Sequence, residues 1–114
     1  MADRRDEAVK CRTAAKRNCT SRRKFAVEAI NKNEDEDYMQ VKADSFLEGL
    51  EKLRVTCDEV LAFDEESGGE DEQADQNFIE KIETENCKAE KNCQKLLKRI
   101  LRKTRMKKIK NLQN

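Results

Sequence analysis

Apolar side chains recur at helical spacing along separate stretches of this chain. From Met39 to Val60 they lie alternately four and three residues apart without a break, and from Ile79 to Ile100 the same period returns. This spacing is a heptad seam, typical of helices that pack along their length. The predicted seam residues are Met39, Ala43, Phe46, Leu50, Leu53, Cys57, Val60, Ile79, Ile82, Ala89, Cys93, Leu96 and Ile100.

Two polar segments divide the periodic stretches from one another. Asn33 followed by Glu36 has the form of a capping box, which predicts a new helix near residue 34. The acidic segment 66–75 contains the adjacent pair Gly68-Gly69, and such a pair favours a reversal of the chain. Two helices of matched period joined by a short polar connection are expected to pack antiparallel.

The first stretch has a looser pattern, with small apolar residues scattered among Arg and Lys. It predicts a helix that packs closely but weakly, because little apolar area is available. The predicted fold is therefore all-α: a long antiparallel helical hairpin, similar to a coiled coil, with an additional N-terminal helix. If that helix docks on the hairpin, the result is a three-helix bundle.

The predicted boundaries describe one helical domain over residues 1–110. Its helices are expected at about 3–32, 34–65 and 76–108, with an acidic loop at about 66–75 and a frayed tail at 111–114. Asp75 is the expected cap of the third helix. The last helix should protrude beyond its partners, because its apolar positions continue past the point that the second helix reaches.

Composition agrees with thin helices. The chain has 114 residues, of which 36% are hydrophobic and 43% charged, and it contains no Pro, Trp or His. So little apolar volume predicts narrow seams in place of a thick layered core. The absence of Pro leaves the helices free to run without interruption.

The same inventory argues against catalysis. General acid-base chemistry, catalytic triads and most metal sites use His, and the carboxylates here lie in polar helical runs without an apolar pocket. Asp71, Glu72 and Asp75 depart from the spacing of a calcium loop and are interpreted as a solvated loop. The sequence predicts a protein that is not an enzyme and uses no cofactor, metal or small-molecule substrate.

The five cysteines point to a reducing compartment. Their number is odd, none forms a CxxC pair, and the first residues do not resemble a signal peptide. We therefore expect an intracellular protein, cytoplasmic or nuclear, with cysteines packed as small apolar residues. The hairpin register brings Cys57 near Cys87, so a disulfide between them is an open alternative. No run approaches the ~20 apolar residues that cross a bilayer.

A net charge of +1 conceals a strong segregation of charge. Residues 1–24 carry nine basic and three acidic side chains, residues 25–94 seven and 21, and residues 95–114 nine and none. The basic end predicts contact with phosphates of RNA or DNA, or with an anionic surface, and its lack of aromatic residues predicts little sequence preference. Its candidate residues are Lys98, Arg99, Arg102, Lys103, Arg105, Lys107, Lys108 and Lys110.

An intramolecular alternative accounts for the same basic end. The hairpin places it near the acid-rich start of the second helix, and attraction between the two would occupy its charges within the chain. The acidic residues concerned are Glu34, Asp35, Glu36 and Asp37.

The order of parts resembles a known family. A basic first helix precedes a long helix with the stretch Phe46-Leu47-Glu48-Gly49-Leu50-Glu51-Lys52-Leu53, an acidic link from Asp64 to Asp75 and a helix with a basic end. Over roughly residues 10 to 100 this is similar to the N-terminal helical region of gag-like proteins of BEL/Pao-type LTR retrotransposons. No capsid-like domain or CCHC zinc knuckle follows, so the resemblance implies only self-association and nucleoprotein assembly.

Two functional hypotheses follow from these observations. The first is a non-catalytic coiled-coil module that associates with itself or with another helical protein, using an outer stripe of Ile30, Leu47, Leu61 and Leu97, with the basic tail in nonspecific contact with nucleic acid or an anionic surface. The second is a monomeric three-helix bundle that binds nucleic acid, in which the first helix and the tail form one basic pole and the outer stripe is covered internally.

Overall fold

A computed structural model describes residues 2–67 and 71–113, with side chains described at 4–66 and 71–107. The chain forms three long helices: α1 (Ala2–Asn31), α2 (Glu36–Ser67) and α3 (Glu72–Gln113). No strand occurs in these ranges. The molecule measures 65 × 28 × 20 Å. The prediction of an all-helical fold with a helical hairpin or bundle is confirmed.

Contacts between distant residues give the directions of the helices. Near the start of α1, Arg5 binds Asp64 near the end of α2, and further along α1 Arg22 donates to the carbonyl oxygen of Ser45. On the other side, Lys103 late in α3 reaches Glu36 at the start of α2. Both neighbours therefore run antiparallel to α2 and parallel to each other, and the first helix docks on the hairpin.

The core is centred on α2, which packs against both other helices. Phe46, Leu50 and Leu53 of α2 are completely buried, and α3 adds Ile82 and Leu96. The neighbour on the other side, α1, contributes smaller residues: Ala8, Cys19, Ala26 and Ala29. Small side chains let two helix backbones approach closely, and α1 and α2 form the closest helix pair in the bundle.

A glycine in the middle of α2 has a packing reason. The side chain of Arg22 crosses over Gly49, and a Cβ built there would lie 3.0 Å from the Arg22 Cδ. Gly in a helix interior costs about 1 kcal/mol relative to Ala. Here it leaves room for the arginine to reach the Ser45 carbonyl oxygen at 2.9 Å.

The connection between α1 and α2 differs from the predicted capping box. Asn33 has a φ of 51°, and the amides of Asn33 and Glu34 donate to the carbonyl oxygens of Ile30 and Ala29. This pattern is the Schellman motif that ends a helix, and Asn is one of the few residues that accept its left-handed conformation. Asn33 therefore ends α1. The next helix, α2, begins at Glu36, and at its start the Met39 amide donates a hydrogen bond to the Asp35 carbonyl oxygen.

The third helix is longer at both ends than the sequence indicated. It begins at Glu72, one turn before the predicted start, so Asp75 lies inside the helix and its amide donates to the Asp71 carbonyl oxygen. The predicted frayed tail at 111–114 is helical as far as Gln113, and Asn114 lies outside the described residues. The reversal at Gly68-Gly69 also lies outside them.

Burial of the α2 seam predicts a clear contrast between two leucines. Leu50→Ala should lower the free energy of unfolding by about 2–5 kcal/mol, because the side chain is completely buried between helices. Leu101→Ala makes the same chemical change where the side chain is 53% exposed, and should cost less than about 0.5 kcal/mol. Urea unfolding followed by circular dichroism measures both, and equal losses would contradict this account of the core.

Candidate functional site

The seam residues predicted from the heptads all lie on the inner faces of α2 and α3. Of these, Ile79 and Ile100 are half-buried and the others are buried. The predicted outer stripe of Ile30, Leu47, Leu61 and Leu97 is half-buried, and all of it except Leu61 packs against the core. Docking of α1 therefore covers much of the surface that a bare hairpin would expose.

Polar side chains fix the register of the hairpin. Arg54 lies between two acids of α3 and donates to Glu83 and Glu90 at 2.8 Å each. Deeper in the seam the buried Asn86 donates to the Ile82 carbonyl oxygen and accepts a hydrogen bond from Arg23 of α1. A buried polar residue of this kind penalises other registers, because a shift would leave it without partners.

The predicted basic end forms a continuous exposed surface on α3. Lys98, Arg99, Arg102, Lys103, Arg105 and Lys107 are all exposed, as is Lys95, and the side chains of Lys108 and Lys110 lie outside the described residues. A groove of about 430 Å³ runs along this face around Met106. Beyond Lys103, which is level with the start of α2, the helix continues for ~15 Å at 1.5 Å per residue.

One of these basic residues has an acidic partner within the bundle. Lys103 Nζ lies 2.6 Å from the Oε1 atom of Glu36. The hydrogen bond from Lys103 lowers the pKa of Glu36, and the positive charges of Lys107 and Arg99 act in the same direction. The predicted intramolecular contact is therefore present at Glu36.

Charge is sorted by helix. Nine basic and four acidic residues lie on α1, three and ten on α2, and twelve and six on α3. The acidic residues of α3 all precede residue 91. The negative helix thus lies between two positive ones, and the excess of positive charge increases toward the C-terminal end of α3.

Four of the six arginines of α1 contact the other two helices, which the sequence did not indicate. Arg5 and Arg12 bind acids of the hairpin, while Arg22 and Arg23 reach the carbonyl oxygens of Ser45 and Glu85. Since α1 also runs parallel to α3, its basic N-terminus lies at the end of the bundle remote from the tail. The expected single basic pole of first helix and tail is therefore not formed.

A buried ionic cluster lies at that remote end. Arg5 binds Asp64 of α2 at 2.8 Å and Asp75 of α3 at 2.9 Å, and Arg12 binds Asp75 at 2.7 Å. The guanidinium of Arg12 also lies 4.1 Å from the centre of the Phe78 ring. Asp64, Asp75 and Arg12 are all buried, so this cluster connects the three helices inside the protein.

The two buried carboxyl groups differ in their titration. Burial and the hydrogen bond to Asp75 raise the pKa of Asp64 above its usual value, although Arg5 opposes this. Burial alone would also raise the pKa of Asp75, but its hydrogen bonds to Asp64, Arg12 and Arg5 outweigh burial and hold that pKa below its usual value. As the pH falls, Asp64 therefore takes up a proton before Asp75 does.

Sequence reasoning missed this cluster. Asp75 was expected to be a helix cap in a solvated loop, but its side chain is 6% exposed and its partners are 63 and 70 residues away. A carboxylate in a run of acidic and polar residues is expected to be exposed to solvent. Only the docking of α1 brings the arginines to it. One available indication was that Arg5 and Arg12 are seven residues apart and so share a helix face.

The cysteines are free in the described structure, and three of them are buried. Burial raises the pKa of Cys57 and of Cys93 to about 11 and also raises the pKa of Cys19, so these thiols are protonated at neutral pH. Cys57 is buried in the seam whereas Cys87 is exposed, so the two side chains occupy different surroundings. No group of three or more potential metal ligands occurs among the described residues.

Comparisons with known proteins add no relative. No family model, no curated protein and no solved structure matches this chain. The resemblance to gag-like proteins therefore stays a prediction. Among the described residues, no helix is both long and apolar enough to cross a membrane.

The cluster predicts opposite outcomes for two similar substitutions. Asp75→Asn should lower the free energy of unfolding at pH 7 by about 3 kcal/mol, because it leaves the buried Arg12 without a negative partner and removes one of the partners of Arg5. Asp64→Asn should be close to neutral or stabilising, because it removes a carboxylate whose charged form burial disfavours.

The pH dependence follows from the two pKa shifts. Stability contributed by Asp75, whose folded-state pKa is lowered, is present above the unfolded pKa of about 3.9 and is lost as pH falls through the folded value. Asp64 has a raised folded-state pKa, so any gain from Asp64→Asn should disappear as the wild-type side chain becomes protonated. Urea unfolding at pH 7 and near pH 3 measures both, and equal losses for the two variants at pH 7 would contradict the assignment of charge.

Proposed function

We propose that this protein is a monomeric three-helix module that binds nucleic acid through the basic end of α3, with little dependence on sequence. The observation that carries the proposal is the exposed helical surface from Lys95 to Lys107, which has seven basic residues and no acidic one. It projects past the start of α2, so a large polyanion has access to it.

Phosphate backbones suit such a surface. A cationic face that neutralises phosphates releases condensed counterions, and this release supplies most of the affinity of nonspecific binding. Sequence would be recognised by side chains fitted to base edges, and aromatic stacking would add affinity for unpaired bases. The α3 surface has no aromatic residue, and its exposed apolar residues, Leu101 and Met106, are flexible aliphatic ones.

A monomer is favoured because α1 occupies the place that a second chain would take on a bare hairpin. Ile30, Leu47 and Leu97, from the predicted outer stripe, pack against the core of the same chain. Self-association through that stripe stays a prediction. Sedimentation at tens of micromolar tests it, and a stable dimer there would contradict the monomeric module.

The contribution of the basic end of α3 to nucleic-acid binding can be tested by removing two of its charges. The double variant Arg102→Gln/Arg105→Gln should weaken binding to a 20-base-pair duplex and reduce the slope of log affinity against log salt by about one for each charge removed. The matched control, Lys42→Gln/Lys52→Gln, removes two positive charges from α2, the acidic helix, and should leave the slope unchanged. Fluorescence anisotropy between about 50 and 200 mM salt measures both.

Two results would contradict the proposal. One is affinity for duplex that does not fall as salt rises, because counterion release requires that fall. The other is binding to vesicles rich in phosphatidylserine without binding to nucleic acid, which would assign the same charges to a membrane surface.

The contact between Lys103 and Glu36 gives a second test. Glu36→Gln removes the acid that occupies Lys103, and should raise affinity for the duplex a few-fold at about 50 mM salt, with the gain shrinking at higher salt. Glu59→Gln makes the same change of charge on an exposed residue in the other half of α2, and should have a smaller effect. Equal effects of the two variants would mean that only net charge matters, and not this contact.

A further inference from the structure

We propose that α1 carries a second phosphate-binding surface, alongside α3, so that one duplex extends along both helices and not only over the tail. This inference rests on the proposed function and adds a site to it. The α1 surface consists of Thr13, Lys16, Arg17, Thr20 and Lys24, and we call it the α1 basic face.

The composition of the α1 basic face is that of a phosphate site. These residues, with Ser21 and Arg23, line an open groove of about 810 Å³. From Ala8 to Val27, α1 contains seven basic residues and no acidic one. Hydroxyl groups and long cationic side chains together are the groups that proteins most often place against a nucleic-acid backbone.

The inward arginines of α1 explain why this face is free to meet a ligand. Arg12 and Arg23 extend toward α3, where they bind Asp75 and Asn86. Lys16 lies at the edge of that contact, 5.2 Å from the centre of the Phe78 ring. On the solvent side of these contacts, Arg17, Thr20 and Lys24 are exposed. The fold therefore uses one side of α1 for packing and leaves the adjacent side cationic.

The parallel alignment of α1 and α3 places the two basic surfaces in series. Arg12 is level with Asp75, and Arg23 with Asn86, so Lys24 lies near the level of Cys87 on α3. Lys81 is exposed earlier on α3, and from Lys88, at about this level, the exposed basic residues continue through Lys95 to Lys107. Before Lys88, in the part of α3 that lies beside α1, two exposed acids, Glu80 and Glu85, interrupt the positive charge.

Together the surfaces give a length that can be measured. Thr13 is level with about residue 76 of α3, and from there to Lys107 the helix extends ~46 Å at 1.5 Å per residue. Double-stranded DNA carries one charge per ~1.7 Å of axis, or ~3.4 Å per base pair, so this length corresponds to about 13 base pairs. The tail surface alone, Lys95 to Lys107, spans only ~18 Å, or about five base pairs.

A duplex is favoured over a single strand because no aromatic residue lines the groove of either basic surface. Phe25 and Tyr38 are about half exposed, but each ring has Lys42 over it and neither lines the α1 groove. Phe78 lies beneath Arg12 and Lys16. Phe46 is buried in the core. Single strands bind proteins largely by stacking bases on exposed rings, whereas a duplex presents its two phosphate backbones outward.

The experiment uses the whole chain and a set of DNA duplexes from 6 to 20 base pairs. Anisotropy at constant salt should show affinity that rises with length up to about 13 base pairs, beyond the statistical gain from extra sites. The variant Arg17→Gln/Lys24→Gln removes two exposed charges from the α1 basic face, and Lys42→Gln/Lys52→Gln is its control of equal charge on α2. Circular dichroism and urea midpoints check that both variants fold as the wild type does.

The expected result is a loss that depends on duplex length. Arg17→Gln/Lys24→Gln should weaken binding to the 14-base-pair duplex by on the order of tenfold and lower its salt slope by about two, with little effect on the 6-base-pair duplex. The control variant should leave binding to both duplexes unchanged. Binding to a 14-nucleotide single strand should be weaker than to the duplex.

Three outcomes would overturn the α1 site, and they can be told apart from failure of the proposed function. If Arg102→Gln/Arg105→Gln weakens binding while Arg17→Gln/Lys24→Gln equals its control, the tail binds nucleic acid and α1 does not. Tighter binding of the single strand than of the duplex would contradict the proposal that a duplex lies along both helices. If neither pair of substitutions changes affinity or salt slope, both the α1 site and the proposed function fail.

Discussion

Burial of α2 on two sides is the constraint from which the rest of the structure follows. With only 36% hydrophobic residues, the chain has one helix whose apolar stripe is both regular and bulky, and α1 and α3 gain burial chiefly by packing against it. Because both neighbours are basic and α2 is acidic, this packing alternates charge across the bundle. It also places the two positive helices, α1 and α3, side by side.

Repulsion between these helices is limited by the way charge varies along α3. The half of α3 beside α1 contains all its acids, including Asp75, and accepts the inward arginines of α1. Its wholly basic half begins near the level at which α1 ends, so the two strongest positive regions follow one another and do not face each other. The buried cluster of Arg5, Arg12, Asp64 and Asp75 then fixes this alignment. Desolvation offsets much of the attraction in such a cluster, so it specifies a register more than it adds stability.

The parts that were readable from the sequence are those where local pattern and burial agree. The stripe from Met39 to Val60 is regular because α2 is covered on two sides, and every residue of it is buried. The docking of α1 was not readable, since its buried apolar residues are Ala and Cys and carry a weak period. Asn33 and Asp75 were misplaced for a related reason. Asn and Asp favour both helix starts and turns, so the local sequence does not decide between these positions. The backbone around Asn33 makes it the end of α1, and the distant Arg12 holds Asp75 inside the bundle. The basic surface of α3 was readable as composition, and its contact with the acidic start of α2, found at Glu36, followed from the predicted register of the hairpin.

A division of work between arginine and lysine links the fold to the proposed surface. Arginines make the cross-helix contacts of the buried cluster, of Asn86, and of Glu83 with Glu90. They are Arg5, Arg12, Arg23 and Arg54, and the planar group of each reaches two acceptors or a ring. Lysine pairs, such as Lys52 with Glu48 and Lys103 with Glu36, are exposed and make single contacts. A guanidinium keeps its charge when buried and offers a rigid fork of donors, whereas an ammonium is strongly hydrated and favours water or a mobile phosphate. Replacing an inward arginine by lysine would therefore disturb helix docking at unchanged net charge, while the same exchange at Arg17 or Arg102 would preserve a surface that acts through charge alone.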